Sequence, residues 1–147
     1  MTHTEAQTEH HIFIEGIAES VIVNYFATIN REEFAATAAL FEPAGEMLAP
    51  FEKPIVGREA IATYLDQEAR GMKLLPSQGI CETTEDGIAR IRVSGKVKTS
   101  LFSVNVAWFF HLNADRQLTK ARIKLLASPQ ELLGLQSKTE KQQAKDT

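Results

Sequence analysis

The residues able to do chemistry in this chain are few, and they do not converge. Three of the four histidines, His3, His10 and His11, crowd into the polar first eleven residues. Adjacent histidines such as His10 and His11 point apart on a helix, and no carboxylate–histidine grouping has the spacing that would hold a divalent ion. There is no glycine-rich phosphate loop and no Ser–His–Asp arrangement. As acid or base that leaves His111, Asp115 and Tyr64. By strand parity His111 lies on the face opposite Trp108, Asp115 falls in a turn, and Tyr64 reads as a packing residue on a helix. The single cysteine, Cys81, cannot form a bridge within the chain. It reads as a small half-buried hydrophobe or, if accessible, as an interchain thiol. Two polar handles remain in otherwise apolar surroundings. Tyr25 carries a phenol O–H and Trp108 an indole N–H that can only donate. An apolar pocket with one or two convergent donors suits a long hydrophobic ligand ending in a carbonyl. The alternative is that both are core aromatics bonded to the backbone.

The elements that must position these groups can be read from periodicity. Ile14, Ile17, Val21, Tyr25 and Ile29 recur at spacings of three and four, which predicts a helix with Tyr25 on its buried stripe. Asn30 is placed to cap a second helix with Phe34, Ala38 and Phe41 on its buried side, ended by Pro43 and Gly45. Met47 to Phe51 reads as a short edge strand, since Pro50 is a poor central-strand residue. Gly57-Arg58-Glu59 opens a third helix that runs through Ile61, Tyr64 and Leu65 to a glycine stop at Gly71.

The second half alternates with period two around turn signals at Glu85-Asp86-Gly87 and Asn113-Ala114-Asp115. Ala89, Ile91, Val93, Val97 and Thr99 share one face. So do Phe102, Val104, Val106, Trp108, Phe110 and Leu112, and then Ala121, Ile123 and Leu125. None of these inward positions is Asp, Glu, His, Lys or Cys. Arg90, Arg92, Lys96, Lys98, Lys120, Arg122 and Lys124 face the other way, with Leu101 and Phe109. Phe109 is there a candidate apolar anchor on a possible partner face, although a solvated charged face is the plainer reading. Ser128-Pro129-Gln130-Glu131 opens a short C-terminal helix. Helices followed by a long antiparallel sheet give an α+β domain. The arrangement expected is a nuclear transport factor 2-like cone, with helices packed in a strongly curved antiparallel sheet. Such cones serve isomerases, dehydratases and binding proteins alike.

Length and composition agree with one domain. The chain has 147 residues, 44% apolar and 24% charged, with a net charge of −3. The expected division is a polar extension over 1–11, a ligand-binding domain over 12–136 and a polar tail over 137–147. The charge balance excludes nucleic acid as a partner. The absence of a long apolar run excludes a membrane-spanning helix. The N-terminal residues lack the features of a secretory signal, so a cytoplasmic location is expected.

Several short motifs then carry a resemblance. Pro54-Ile55-Val56-Gly57, Met72-Lys73-Leu74-Leu75-Pro76, Gly95-Lys96-Val97, Ala107-Trp108, and Leu125-Leu126-Ala127-Ser128-Pro129 with Glu131-Leu132-Leu133 follow in order. Together they resemble the C-terminal domain of the orange carotenoid protein of cyanobacteria, over roughly residues 14–135. The chain lacks that protein's helical N-terminal domain and looks like a stand-alone homologue of the C-terminal one. The resemblance implies a non-catalytic binding protein for a ketocarotenoid such as canthaxanthin or echinenone. It puts the two donors to the keto oxygen at Tyr25 and Trp108. It puts the pocket lining at Ile29, Val56, Met72, Leu74, Val97, Thr99, Phe102, Val106, Phe110, Ile123 and Leu125. It further implies a homodimer sharing the pigment, transient membrane contact for pigment uptake, and transfer to helical carotenoid proteins or to the orange carotenoid protein. The purpose it implies is photoprotection by singlet-oxygen quenching. Two departures stand out: Ser100-Leu101-Phe102 replaces a proline and a tryptophan after the threonine, and Lys124 replaces an aspartate. Outside the resemblance, the rivals are a small isomerase or dehydratase of the same fold, and an interaction module using the basic sheet face.

Overall fold

A computed structural model describes residues 12–126. Helix α1 (Ser20–Asn30) is followed by α2 (Phe34–Ala39), β1 (Phe41–Leu48), β2 (Ile55–Val56) and α3 (Arg58–Glu68). Four long strands complete the domain: β3 (Lys73–Thr83), β4 (Ala89–Lys98), β5 (Ser103–Leu112) and β6 (Leu118–Leu126). They form one six-stranded, curved, open sheet in the order β2-β1-β6-β5-β4-β3. All neighbours are antiparallel except β1 and β6, which run parallel, so the sheet is mixed rather than purely antiparallel. The C-terminal helix expected at Ser128 lies outside the described residues, as do the two polar ends.

Alternation positions the core. Ile91 and Val93 of β4, Val106, Trp108 and Phe110 of β5, and Ala121 of β6 are buried against the helices. From α1, Val21, Ile22, Tyr25, Phe26 and Ile29 meet them. The rings interlock edge to face: Phe26 with Trp108 at 4.7 Å, Tyr25 with Phe110 at 4.9 Å and Tyr25 with Phe26 at 5.3 Å between centroids. Such pairs contribute about 0.5–1.5 kcal/mol each beyond area burial. Helices α1 and α2 are joined by a buried 2.6 Å hydrogen bond between the Thr28 and Thr37 hydroxyls.

Several expected boundaries move. Ile14 and Ile17 are buried as the stripe requires, but they precede the helix. Gly16 turns there with φ +88°, and Glu15 bridges Gln78 of β3. Asn30 does not cap α2; Glu33 stands at that cap and makes no side-chain cap bond. The Asn30 carboxamide instead accepts from Leu74 N–H at 2.7 Å and donates to Leu74 C=O at 2.9 Å. Phe41, Pro43 and Gly45 belong to β1, and β1 lies between β2 and β6, not at the sheet edge. The edges are the two-residue β2 and the long β3, whose alternation is broken by Pro76 and a register shift before Gln78.

Candidate functional site

Between α1, the C-terminal half of α3 and the concave sheet lies a cavity of about 350 Å³. Each element contributes by its own period. From α1 come Tyr25 and Ile29, one turn apart on the buried stripe. From α3 come Tyr64, Leu65 and Glu68, followed by Ala69 and Met72. Leu74 reaches in from β3 and Val97 from β4, and Val104, Val106 and Trp108 alternate along β5. Ile123 and Leu125 do the same on β6. The mouth is formed by the segment Ala49–Glu52 after β1 and by the turn between β4 and β5, where Thr99 and Phe102 line it.

The cavity thus gathers Tyr25, Trp108, Ile29, Met72, Leu74, Val97, Thr99, Phe102, Val106, Ile123 and Leu125. Two expected lining residues stand outside it. Val56 pairs with Glu46 and shares its outward direction, while its neighbour Ile55 pairs with the buried Met47; Val56 is 57% exposed. Phe110 does face inward, but it is fully buried beneath α1 among Tyr25 and Phe26 and serves as core, not wall. Cys81 is exposed on β3, its sulfur 3.9 Å from the Thr83 hydroxyl. Phe109 is half-buried on the convex face, with the Arg92 guanidinium 5.8 Å from its ring centre.

Tyr25 and Trp108 are each only 1% exposed. Neither the phenol oxygen nor the indole nitrogen hydrogen-bonds to a described residue, and no fully buried side-chain N or O among the described residues lacks a partner. Both polar atoms therefore keep a little accessible surface, and the space they open on is the cavity they line. Burial, and secondarily Tyr64, pushes the Tyr25 phenol far above its ordinary value, so it stays a protonated donor. In chemical terms the site is an apolar sleeve with two hydrogen-bond donors at its inner end.

Three titratable lining residues escaped the reading by strand faces. Tyr64, Glu52 and Glu68 bring titratable groups to the cavity from the helix and loop side. The Tyr64 hydroxyl is raised above its ordinary value by burial first, then by Glu52 and Glu68. The helical position of Tyr64 was visible in the sequence, but which side of α3 meets the cavity depends on packing. Both residues are exposed, whereas Tyr25 and Trp108 are buried. Among the described residues no group of three His, Cys, Asp or Glu could hold a metal ion.

Comparison with known proteins gives this geometry a context. Residues 17–120 match the nuclear transport factor 2 domain. The chain is 40% identical over 126 residues to the orange carotenoid-binding protein of Limnospira maxima and 38% identical to that of Synechocystis sp.. Each match covers 83% of this chain and 40% of the relative. The structure of the Anabaena (Nostoc) sp. orange carotenoid protein binding canthaxanthin superposes with a TM-score of 0.76 at 38% identity, over 84% of this chain and 40% of that one. The chain thus spans about 40% of the length of the relatives it matches.

Proposed function

The chain belongs to the nuclear transport factor 2 domain family and is a homologue of the C-terminal domain of the orange carotenoid protein; from that footing we propose that it is a non-catalytic carotenoid-binding protein. Its cavity takes one keto-bearing end ring of a ketocarotenoid, canthaxanthin or echinenone. Tyr25 and Trp108 donate to the ring carbonyl, and the aliphatic wall of Ile29, Leu74, Val97, Val106 and Ile123 grips the ring and the first stretch of polyene. The observation that carries this reading is the convergence of two donors, Tyr25 and Trp108, with no hydrogen-bond partner among the described residues, on one apolar cavity. An unpaired polar group facing an apolar space costs free energy that a buried carbonyl would recover.

A volume of about 350 Å³ is at the small end of ligand pockets, which run from about 300 to 1,000 Å³. It accommodates one end of the pigment only. The rest is covered by a second copy or passed to a helical carotenoid-binding partner, and the bound pigment quenches singlet oxygen. Glu52, Tyr64 and Glu68 make the rival enzyme reading concrete, but both carboxylates are exposed to solvent, and the Tyr64 phenol, raised above its ordinary value, is a donor and not a base at neutral pH.

The test is spectroscopic. Ligand-free protein mixed with canthaxanthin in detergent should develop a red-shifted, broadened visible band. β-Carotene, which has no keto oxygen, should bind much more weakly. Equal uptake of the two pigments would remove the role of the donors. Faster loss of a singlet-oxygen signal with loaded than with empty protein checks the photoprotective part.

A further inference from the structure

The alternation that turns apolar side chains into the cavity turns cations out of the opposite, convex face of the sheet. Register sets them in two rows across β4, β5 and β6. Arg90, His111 and Lys120 lie side by side in one row, and Arg92, Phe109 and Arg122 in the next. From the spacing of strands and of alternate residues, the four cations mark the corners of a patch of about 7 by 10 Å, with His111 and Phe109 between them. Towards β3 the patch opens into a depression of about 300 Å³, lined by Arg90, Arg92, Phe109 and His111 together with Ile80 and Glu82.

The fold leaves this patch without a counter-charge. None of the four cations forms an ion pair among the described residues, whereas Arg31, Arg70 and Arg116 are all paired with carboxylates. Glu82 pairs in register with Arg90, and Glu46 with Lys120, so one carboxylate borders each end of the first row. Neither closes an ion pair. Like charges gathered on one face oppose folding. The imidazole at the centre registers their field: burial first, then Lys120, Arg90 and Arg122, hold His111 below its ordinary value. The patch also has a shape. The Arg92 guanidinium rests 5.8 Å from the centre of the Phe109 ring, which restricts its direction. Three of the four cations are arginines, whose planar forks take two oxygens of a phosphate at once. The two flanking carboxylates repel the ends of an extended polyanion, so the complement is compact and multiply charged.

We propose that this convex patch is a binding site for a soluble diphosphate group, with the guanidinium groups of Arg90, Arg92 and Arg122 and the ammonium of Lys120 donating to its oxygens. The site lies back to back with the cavity: Phe109 and His111 alternate along β5 with the inward Trp108 and Phe110. It is independent of the carotenoid reading, and each can fail without the other. A bound anion offsets the repulsion that lowers His111, so anion binding and protonation of His111 favour one another. The charged groups around that imidazole are Arg90 and Arg92 from β4, Lys120 and Arg122 from β6, Glu82 from β3 and Glu46 from β1. Among them only His111 changes charge near neutral pH.

Titration of the full chain with sodium pyrophosphate in 0.1 M salt, followed by amide and imidazole resonances, tests this. Saturable shifts are expected on β4, β5 and β6 around Arg90, Phe109, His111 and Arg122. Arg90→Gln and Arg122→Gln should each weaken binding by about threefold to fivefold, and the double change Arg90→Glu with Arg122→Glu should abolish it. Lys98→Gln is the control. It lies on the same face but about 20 Å along β4 from Arg92, beyond the screening length of about 10 Å at that ionic strength, so it should bind as the parent does. Arg90, Lys98 and Arg122 are exposed, so folding is kept. Adenosine diphosphate separates two sources of the same group: affinity equal to that of pyrophosphate assigns the site to the diphosphate alone, and higher affinity assigns it to a nucleotide. The His111 ring resonance, identified by its loss in His111→Gln, should titrate at higher pH in sulfate than in chloride of equal ionic strength, since sulfate keeps its double charge throughout. A His111 resonance that ignores both pyrophosphate and sulfate overturns the proposal. Equal losses in Lys98→Gln and Arg122→Gln overturn it too, because they would mark diffuse attraction to a cationic face without a site.

Discussion

Tyr25 and Trp108 are worth separating, because they reach the cavity by different routes. Tyr25 stands on a helix stripe and Trp108 in mid-strand between the inward Val106 and Phe110. Tyr25→Phe deletes one oxygen that faces the cavity and leaves the ring packed on Phe26 and Phe110. Folding stability should therefore hold while ketocarotenoid affinity falls by several-fold to tenfold, the worth of a net hydrogen bond of about 0.5–1.5 kcal/mol. Trp108→Phe should lose a similar factor in affinity plus some stability, since a smaller ring leaves a gap. The double change should also blue-shift the bound pigment, and equilibrium titration with canthaxanthin reads both effects. Unchanged affinity and colour in both single variants would place the carbonyl elsewhere. Because burial holds the Tyr25 phenol protonated, the band should not move between about pH 6 and 9. His111, on the convex face, behaves oppositely. Burial first, then Lys120, Arg90 and Arg122, lower it below its ordinary value. A lowered folded value means that the unfolded chain takes up the proton first. The stability this group contributes is present above about pH 6.5 and is lost as pH falls through the folded value. His111→Gln should therefore shrink the difference between urea midpoints measured at neutral and at mildly acidic pH; an unchanged difference would show that other groups carry the acid sensitivity.

At the scale of elements, what could be read from the sequence was what repeats. Strands β4 and β5 announce themselves because each buries one face for several residues, β6 because its apolar–basic alternation continues theirs although only Leu118 and Ala121 are buried, and α3 because its apolar spacing ends in Gly71, at φ +82°. The donor pair followed from the same periodicity. What failed to show was governed by contacts distant in sequence. Ile14 and Ile17 keep the helical spacing, yet the chain there turns at Gly16 to pair with β3. A Cβ on Gly16 would come within 2.3 Å of the Gly79 carbonyl oxygen. Strand β3 hid because Pro76 and its bulge break the alternation, and Pro54-Ile55-Val56 gave no sign of which of its two apolar side chains turns inward. Asn30 looked like a cap by residue type; its real work is to satisfy both backbone groups of Leu74 on the exposed edge of β3. That edge is otherwise met by Glu15, which donates to Ser77 C=O at 3.1 Å and accepts from Gly79 N–H at 2.8 Å. Asn30→Ala should leave two edge groups of Leu74 to water and free the start of β3, a cavity wall. A loss of about 1–2 kcal/mol in unfolding free energy is expected, with weaker pigment binding. Thermal unfolding checks the first and titration the second; Asn30→Asp, which keeps only the acceptor, should fall between the two.

For the molecule as a whole, the length of the proposed ligand argues for assembly. A domain of this size has a radius of gyration of about 13 Å. On the carotenoid reading proposed above, a ring held by Tyr25 and Trp108, each 1% exposed, leaves a pigment with two end rings projecting past Phe51 and Phe102. Exposed polyene costs about 25 cal/mol for each Å² left in water, and the apolar tips add their own share. A second copy placed about a two-fold axis removes both costs with a single self-complementary contact. It also offers the second ring the same two donors. The prediction is stoichiometric: loaded with canthaxanthin, the protein should sediment as a dimer with one pigment for two chains. Echinenone has a keto group on one ring only, so it can satisfy one donor pair and should hold the dimer less tightly. Sedimentation velocity recorded at the pigment's own absorption band measures size and stoichiometry together. A coloured species of monomer mass, with one pigment per chain, would mean that the domain covers its ligand alone, and that the apolar mouth serves only the step in which the pigment enters.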